Sequence, residues 1–384
     1  MATVRNGIDR IDEYAELFHG RLGLVTAPTG VSRELRSSIA ILHEKFRLAA
    51  LFAPEHGVRG NIVSGNAEDD VDRLTGLPVF SLHHATRGMA PTEAMFAGID
   101  RLVFDIQDIG ARSYTYITTL YHIMSACARW RKTCIVLDRV NPSGGERIEG
   151  NILQPDFISG IGIWPIAMRH GLTIGEMARF FNTECGIGCD LHVVPVSGWR
   201  RSMLYADCDL AWINTSPQVP NPDAAILYNG ISLIAGTPVS WGRGTTRPFE
   251  QVGAPWLDAD DLAASLNDRK LPGVYFRPAY FMPTHFTGNL CAGQLCRGVH
   301  IHLTDRRVFN SVETGVRMLC EIKRRSGTQF FWRASGNSTD RYYIDFLCGS
   351  KELRESQDEE ELLANWRRQS RDFAGRRAPY LLYD

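Results

Sequence analysis

Short apolar runs alternate with amphipathic stretches through the first half of the chain. Runs of strand length occupy residues 22–26, 48–52, 79–82, 102–104, 135–137 and 191–194. Stretches of helical length and apolar spacing lie at residues 33–46 and 113–130. Because strands that alternate with helices form βαβ units, the pattern predicts an α/β fold with a largely parallel sheet.

Two capping boxes predict where further helices begin. The box Thr173-Ile-Gly-Glu176 predicts a helix that runs to about Cys185. The box Ser356-Gln-Asp-Glu359 predicts another that reaches about Trp366.

The second half of the chain carries its own strand and helix signals. Asp258 to Asp261 are expected to cap a helix that ends at Leu266, followed by a strand at 299–303 and a helix at 310–323. Residues 198–244, rich in Pro, Gly, Asn and Ser, predict the connection between two domains. We therefore expect a first domain of residues 1–228 and a second, smaller α/β domain of residues 229–384.

Composition narrows the class of protein. A net charge of −1, with no long run of one sign, argues against a nucleic-acid or anionic-membrane partner. No stretch approaches the ~20 apolar residues of a membrane span. The N-terminal residues 1–16 have no apolar signal region, and the nine cysteines are scattered, so free thiols and a cytoplasmic location are expected.

Dense polar clusters follow three of the apolar runs. They occupy residues 54–60, 105–112 and 138–145 and are rich in carboxylates, arginines and glycines. In an open α/β sheet, ligands bind beyond the carboxyl ends of the strands. The three clusters therefore predict a site at one edge of the sheet.

Glu55 is the first candidate for proton transfer. It lies in the turn Pro54-Glu55-His56-Gly57, where burial or a second carboxylate would raise its pKa and suit it to general acid catalysis. The alternative interpretation is an exposed or helix-capping glutamate. Asp105 is either the second carboxylate, an orienting residue or a turn cap.

Other polar residues have equally open interpretations. Asp108 is expected to orient Arg112, and Asp138 with Arg139 to form an ion pair that shapes the pocket. The loop at residues 242–246 is either an anion cradle of backbone N–H groups or a simple connection. Without a Gly-x-Gly-x-x-Gly or Walker loop, no nucleotide cofactor is expected, and no metal site is expected either.

Together the clusters resemble the NamZ family of exo-β-N-acetylmuramidases, glycosidases that act on peptidoglycan fragments. The matching segments run in order through about two-thirds of the chain and are Pro54–Gly57, Arg59-Gly60, Phe104–Asp108, Gly110–Arg112, Tyr114–Tyr116, Leu137–Arg139, Asn141-Pro142, Gly144-Gly145, Glu149-Gly150, Met168–Gly171, Thr173–Glu176, Ser216-Pro217, Gly242–Glu250 and Gly253–Trp256.

The resemblance implies a Rossmann-like N-terminal catalytic domain, a smaller C-terminal domain that completes a cleft, and release of terminal N-acetylmuramic acid. Glu55 resembles the family's essential carboxylate, and Asp105 and His56 complete the expected catalytic set. The expected substrate-binding residues are Arg59, Gln107, Asp108, Arg112, Tyr114, Tyr116, Asp138, Arg139, Asn141, Glu149, Arg169, His170, Arg243, Thr245 and Glu250.

Four positions depart from the family pattern. Val140 replaces a proline, Gln218 replaces an asparagine, and Pro238 and Trp241 stand where the pattern carries Asn and Glu. A tryptophan for a glutamate in a cleft removes a charge and adds a stacking face. These changes concern the identity of the sugar and leave the proposed acid in place.

The mechanism has three possible forms. A retaining carboxylate pair would lie ~5 Å apart and an inverting pair ~6.5–9.5 Å apart, whereas a nucleophilic 2-acetamido group of the substrate would leave Asp105 to orient it. The lactyl carboxylate of muramic acid needs a cation, for which Arg169, Arg112 and Arg243 are candidates. Tyr114 and Tyr116 either stack on the sugar or belong to a helical core.

Two other functions compete with the glycosidase. A protein that binds a muropeptide or sugar acid without cleaving it would explain the changes at Pro238 and Trp241. A nucleotide-dependent Rossmann enzyme rests on fold analogy alone. For the glycosidase and for the binding protein alike, the expected partner is a small saccharide or muropeptide.

Overall fold

The computed structural model describes residues 3–62, 66–84, 86–286, 288–336 and 340–384 of the chain. Its strands, numbered along the chain, are β1 Leu22–Thr26, β2 Leu48–Ala53, β3 Asp70–Val71, β4 Pro78–Ser81, β5 Arg101–Asp105, β6 Thr133–Leu137, β7 Glu149–Ile152, β8 Ala167–Arg169, β9 Leu191–Val194, β10 Gln251–Ala254, β11 Val274–Phe281 and β12 Cys296–Leu303.

Helices separate most of these strands. The α-helices are α1 Ser38–Lys45, α2 Glu93–Phe96, α3 Thr115–Arg129, α4 Ile174–Glu184, α5 Pro222–Ile231, α6 Ala259–Asp268, α7 Ser311–Ser326, α8 Tyr343–Cys348, α9 Glu352–Glu355 and α10 Glu359–Arg377. Short 3-10 segments lie at Gly7–Phe18, Pro155–Phe157, Tyr205–Asp207, Ser232–Gly236, Gly327–Gln329 and Ala378–Tyr380. No helix of the described ranges combines the length and the apolar character that a bilayer crossing demands.

The larger sheet has the strand order β3-β4-β2-β1-β5-β6-β9. All its neighbours pair in parallel except β3 and β4, which are antiparallel. The order reverses between β1 and β5, as in doubly wound Rossmann-like folds. The predicted largely parallel sheet is confirmed.

Both faces of this sheet are buried at its central strands β1, β2, β5 and β6, which explains why these strands are nearly continuous apolar runs. Leu24, Leu51 and Val103 point to the face that is covered by α1 and residues 7–18. The next residues along each strand, such as Val25 and Phe104, point to the face covered by α3 and α4. Successive side chains of a strand alternate between faces, so each face has its own hydrophobic core.

A second, smaller α/β domain follows. Its antiparallel sheet has the order β10-β12-β11, and α6 and α7 pack near it. Helices α5 and α7 cross at Gly230 and Gly315, where a Cβ on Gly230 would lie only 1.9 Å from the Ser311 carbonyl oxygen. The two-domain α/β architecture is therefore confirmed.

The C-terminal end of the chain returns to the first domain. Helix α10 packs on the antiparallel pair β7–β8. Arg377 donates to the carbonyl oxygens of Gly145 and His170 at 2.8 and 3.0 Å, and the Tyr383 hydroxyl donates to Asp138 at 2.5 Å. The last residues therefore bind the two domains together. The division at residues 228 and 229 stays a prediction, and α5 is continuous across it.

Most of the predicted elements are confirmed, but three boundaries were wrong. The first helix begins at Ser38 and not at Arg33, because Leu35 has a left-handed φ of 63° and Ser37 caps the helix. The last long helix is capped by Asp358 and not by Ser356, and it extends to Arg377.

The expected domain connection at residues 198–244 contains a helix. Asn221 accepts a hydrogen bond from the Ala224 backbone N–H, and Pro222 stands at the first helical position. An Asn cap followed by Pro is a helix-start signal, which the richness of this stretch in turn residues concealed.

A buried ion pair closes the sheet at its switch point. Arg139, after β6, donates to the Asp105 carboxylate at the end of β5 over 2.6 and 2.9 Å. Both side chains are buried, and the Ser38 hydroxyl also donates to Asp105. The hollow above the pair has a volume of about 20 Å³, which is room for one water and not for a dinucleotide.

We predict that Arg139→Met lowers the free energy of unfolding by about 3–5 kcal/mol, because it leaves the Asp105 charge buried and unpaired. Urea denaturation followed by circular dichroism measures the change. The double variant Asp105→Leu/Arg139→Met removes both charges, and we expect it to be the more stable of the two variants. A double variant that is less stable than the single one would contradict this interpretation.

Candidate active site

Glu55 projects from a tight turn directly after β2. The Gly57 N–H donates to the Pro54 carbonyl at 3.0 Å, and His56 and Gly57 both have left-handed φ values, 72° and 79°. The His56 ring nitrogen Nδ1 lies 3.1 Å from the Ile62 carbonyl, which ties the turn to the chain that follows it. The turn therefore holds Glu55 in one place, half-buried.

The neighbour of the Glu55 carboxylate is the first turn of α3. The Thr115 hydroxyl donates to Glu55 Oε2 over 2.7 Å. Thr115 is the first residue of α3, so the carboxylate lies beside the N-terminus of that helix. The second oxygen, Oε1, makes no hydrogen bond to the described residues and is left for a ligand.

Glu55 opens into a cleft of about 170 Å³ between the two domains. Its aromatic wall consists of Tyr114, Tyr116, Tyr228, Trp241, Phe249 and Tyr343. Glu55 is the one carboxylate among the described residues that line it, and Arg243 is the one arginine. An acid and a cation thus share an aromatic pocket, the combination expected of a site for an anionic sugar.

Arg243 contributes its charge to the cleft without a protein counter-charge. No carboxylate of the described residues lies within salt-bridge distance of its guanidinium, and none of its guanidinium nitrogens donates a hydrogen bond to a described residue. Its buried Nε is without a partner, as are those of Arg112 and Arg169. Burial lowers the pKa of Arg243, and nearby tyrosines and Glu55 oppose that shift. A cation held in this way is available to an anionic ligand.

Tyr114 and Tyr116 form a fixed wall. Their hydroxyls donate to the side-chain and main-chain oxygens of Thr215 at 2.8 and 2.7 Å, and their rings pack edge to face at 5.1 Å. Burial raises the pKa of both phenols. Both residues lie at the cleft, and their hydroxyls are already engaged.

Asp105 is not where the sequence led us to expect a second carboxylate. Its oxygens are engaged by Arg139 and Ser38, its side chain is fully buried, and it does not line the cleft. The expected ion pair between Asp138 and Arg139 also differs from the structure, in which Arg139 pairs with Asp105. Neighbouring strands β5 and β6 bring those two residues together, whereas adjacent residues on one strand point apart.

Several other expected ligands hold turns and helix ends. Asp138 accepts from Thr173 and the Gly175 N–H at 2.8 and 2.7 Å, at the start of α4, and burial raises its pKa to about 7. Asn141 donates to the Leu172 carbonyl, and Gln107 to the Val140 carbonyl. None of these side chains lines the cleft.

Asp108 and His170 face each other inside the protein. Asp108 Oδ2 accepts from the Gly110 N–H at 2.7 Å and lies 3.7 Å from His170 Nε2. Asp108 was expected to orient Arg112, but no hydrogen bond joins the two side chains in the described part of the chain. Arg112 donates instead to main-chain oxygens, including those of Asn151 and Cys348 at 2.9 and 2.6 Å.

Arg112 and Arg169 are buried structural cations. Burial lowers the pKa of Arg112 to about 10, and its carbonyl partners join the first domain to α8. Arg169 pairs with Glu149, whose other oxygen accepts from the Val312 N–H at the start of α7. Of the three arginines proposed for a substrate carboxylate, only Arg243 lines the cleft.

The remaining expected ligands lie outside the cleft. Arg59 forms a two-bond pair with Asp72, and Thr245 closes its own loop by donating to Gly242 at 2.7 Å. Burial alone would raise the pKa of Glu250, but hydrogen bonds from His300 and Asn221 hold it below its ordinary value. Within the described residues, no group of three or more His, Cys, Asp or Glu side chains is arranged to hold a metal ion.

The departures from the family pattern have visible contacts. Gln218 and Trp241 both line the cleft, and Gln218 Oε1 accepts from the Gly244 N–H at 3.0 Å. The Val140 N–H donates to Asn6 Oδ1 at 3.3 Å, a bond that a proline lacks. Thr115, Tyr228 and Tyr343 also line the cleft, which the sequence did not predict. Thr115 stands inside a selected motif, but nothing in the sequence marks the other two.

We predict that replacing Arg169 and replacing Arg243 have unequal effects on the free energy of unfolding. Arg169→Met should lower the free energy of unfolding by about 3–5 kcal/mol, because Glu149 is left buried and unpaired. Arg243→Met should change it by less than about 1 kcal/mol or raise it, because a partly buried cation without a counter-charge is removed. Urea denaturation of both variants measures this, and equal losses would contradict the assignment of Arg243 to a ligand.

Comparisons with known proteins agree over the whole chain. The model for the N-terminal part of the exo-β-N-acetylmuramidase NamZ matches residues 22–223, and that for its C-terminal part matches residues 226–383. Peptidoglycan β-N-acetylmuramidase NamZ of Bacillus subtilis (strain 168) is 40% identical over 99% of this chain and 91% of its own.

Solved structures show the same fold. Two DUF1343 family proteins of Bacteroides fragilis NCTC 9343 are similar to the chain. The first is 38% identical with a TM-score of 0.89 over 100% of both chains, and the second is 30% identical with a TM-score of 0.79 over 100% of this chain and 99% of its own. Matches of this extent establish that the chain belongs to the NamZ exo-β-N-acetylmuramidase family.

Proposed function

We propose that the protein is an exo-β-N-acetylmuramidase that releases N-acetylmuramic acid from the non-reducing end of peptidoglycan fragments. The observation that carries the proposal is the cleft with one carboxylate, Glu55, and one arginine without a counter-charge, Arg243. The activity named for the relative from Bacillus subtilis supports the same substrate class.

Glu55 is the general acid in this proposal. It lies in the cleft with Oε2 held by Thr115, so the free oxygen Oε1 carries the proton toward the glycosidic oxygen. The bond between C1 and that oxygen breaks as the oxygen takes the proton, and the carboxylate that remains later accepts a proton from water. One positioned group of this kind contributes about 10²–10⁴ in rate.

The substrate's 2-acetamido group is the nucleophile in this proposal, in place of a second carboxylate. Asp105 is sealed in its ion pair, and no other described carboxylate lines the cleft. The acetamido oxygen therefore attacks C1 and forms a cyclic oxazolinium ion, which keeps its N–H proton, as the leaving group departs with the proton from Glu55. Water, deprotonated by Glu55, opens the ring and gives N-acetylmuramic acid with retained configuration.

Arg243 binds the lactyl carboxylate of the muramic acid residue. The guanidinium fork matches the two oxygens of a carboxylate, and no carboxylate of the described residues, Glu55 included, forms a salt bridge with it. The tyrosine and tryptophan rings of the wall provide apolar faces for the sugar ring.

Glu55→Gln is expected to lower kcat on a chromogenic β-glycoside of N-acetylmuramic acid by about 10²–10⁴, because the glutamine has no proton to transfer. Asp105→Asn is the matched control. It should lose stability but keep kcat within about tenfold when measured well below its unfolding temperature. Near-normal turnover by Glu55→Gln would refute the assignment, and tight binding without turnover by the unaltered protein would favour a binding protein.

The acetamido mechanism makes its own prediction. A substrate with a 2-hydroxyl group in place of the 2-acetamido group should be hydrolysed at least about 10²-fold more slowly, since the oxazoline cannot form. A thiazoline analogue of N-acetylmuramic acid, which resembles the intermediate, should inhibit competitively. Proton magnetic resonance of the first product gives the stereochemical outcome, and release of the α-anomer would overturn this mechanism.

A further inference from the structure

The loop between β11 and β12 packs directly on the main chain around Arg243. Asn289 Nδ2 donates to the Arg243 carbonyl at 2.8 Å, and both the N–H and the hydroxyl of Thr284 donate to the Gly244 carbonyl at 2.8 Å. A Cβ on Gly244 would lie 2.6 Å from the Thr284 carbonyl oxygen, so the two segments are in close contact. We name the described residues 282–286 and 288–295 the clamp loop.

The clamp loop also contacts the Arg243 side chain. The Phe286 ring centroid lies 4.0 Å from Arg243 Cζ, at cation–π distance, and Trp241 lies farther away at 5.9 Å. Phe286 is itself buried, as is Asn289. The clamp loop is anchored in turn by Arg333, which donates to the Gly288 carbonyl at 2.8 Å.

An aromatic contact orients a guanidinium without cancelling its charge. A carboxylate partner would hold Arg243 equally well, but it would compete with an anionic ligand for the same N–H groups. A ring packed on the guanidinium face leaves the N–H groups in the plane free to bind a carboxylate edge-on. Because the orientation exists before the ligand arrives, less ordering entropy is lost on binding.

We propose that Phe286 and Asn289 are positioning residues that fix Arg243 for the carboxylate of the substrate, and so set the preference for a carboxylate-bearing amino sugar over a neutral one. Phe286 acts on the side chain and Asn289 on the main chain. The inference rests on the proposed function, since it concerns the same cleft.

The test compares Phe286→Leu, Phe286→Tyr and Asn289→Ala with the unaltered protein. The probes are a chromogenic β-glycoside of N-acetylmuramic acid and the methyl ester of its lactyl group. Phe286→Leu should raise KM for the acid about tenfold and leave kcat within about twofold, because this contact is equally strong in the ground and transition states. Phe286→Tyr keeps the ring and should restore KM, and Asn289→Ala should act like Phe286→Leu.

The methyl ester separates positioning from general damage. It cannot pair with Arg243, so Phe286→Leu and the unaltered protein should cleave it equally well. Phe331→Leu, an exposed aromatic position of the second domain, is the matched control and should resemble the unaltered protein with both probes. An equal loss on acid and ester, or a KM unchanged by Phe286→Leu, would overturn the inference.

Calorimetry distinguishes a failure of this inference from a failure of the proposed function. If the unaltered protein cleaves no muramic acid glycoside, the proposed function fails. Binding of free N-acetylmuramic acid then tests the inference alone: about tenfold weaker binding by Phe286→Leu supports it, and equal binding by both proteins overturns it.

Discussion

The buried ion pair between Asp105 and Arg139 determines where a ligand can enter this fold. It occupies the point at which the strand order reverses, where Rossmann-like proteins ordinarily bind their ligands, and it leaves a hollow of only about 20 Å³. The edge of the sheet is therefore closed at its centre. The open cleft lies instead where the turn after β2 faces the second domain, and the carboxylate that lines it is Glu55, on that turn, and not a residue at the switch point.

Three arginines of the interior have protein oxygens as hydrogen-bond partners, and Arg243 differs from them. Arg112, Arg139 and Arg169 are each enclosed by carbonyl or carboxylate oxygens, so their hydrogen-bonding capacity serves the fold. The Arg243 guanidinium contacts the Phe286 ring instead and donates no hydrogen bond to an oxygen of the described residues, although an Nε without a partner is common to Arg112, Arg169 and Arg243. Burying an uncompensated cation is unfavourable, and such a cost is typical of functional sites, where stability is exchanged for binding.

The sequence predicted the sheet well and the site only partly. Apolar runs locate β1 and β9 to the residue. For the central strand β1 the reason is that every residue is buried, so the run is continuously apolar. Glu55 could be predicted from the sequence because it lies between Pro54 and Gly57, two residues that mark a tight turn. Asp105 was expected in the cleft, but it pairs with Arg139, which follows the neighbouring strand β6. Hydrophobic periodicity along the chain does not show which residues meet across strands. Tyr343 reaches the cleft from the far end of the chain, so local pattern carries no sign of it.

Contacts of the C-terminal residues join the two domains that form the cleft. A cleft between two domains positions an acid and a cation accurately only if the domains cannot move apart, because Glu55 belongs to one domain and the clamp loop to the other. Arg112 donates across the junction to α8, and Arg377 and Tyr383 reach back from α10 and beyond it to the first domain. These bonds involve buried or partly buried groups, so their loss would lower the stability of the junction. The polar residues that join the two domains and those that line the cleft are thus different sets, and the first set fixes how the second is arranged.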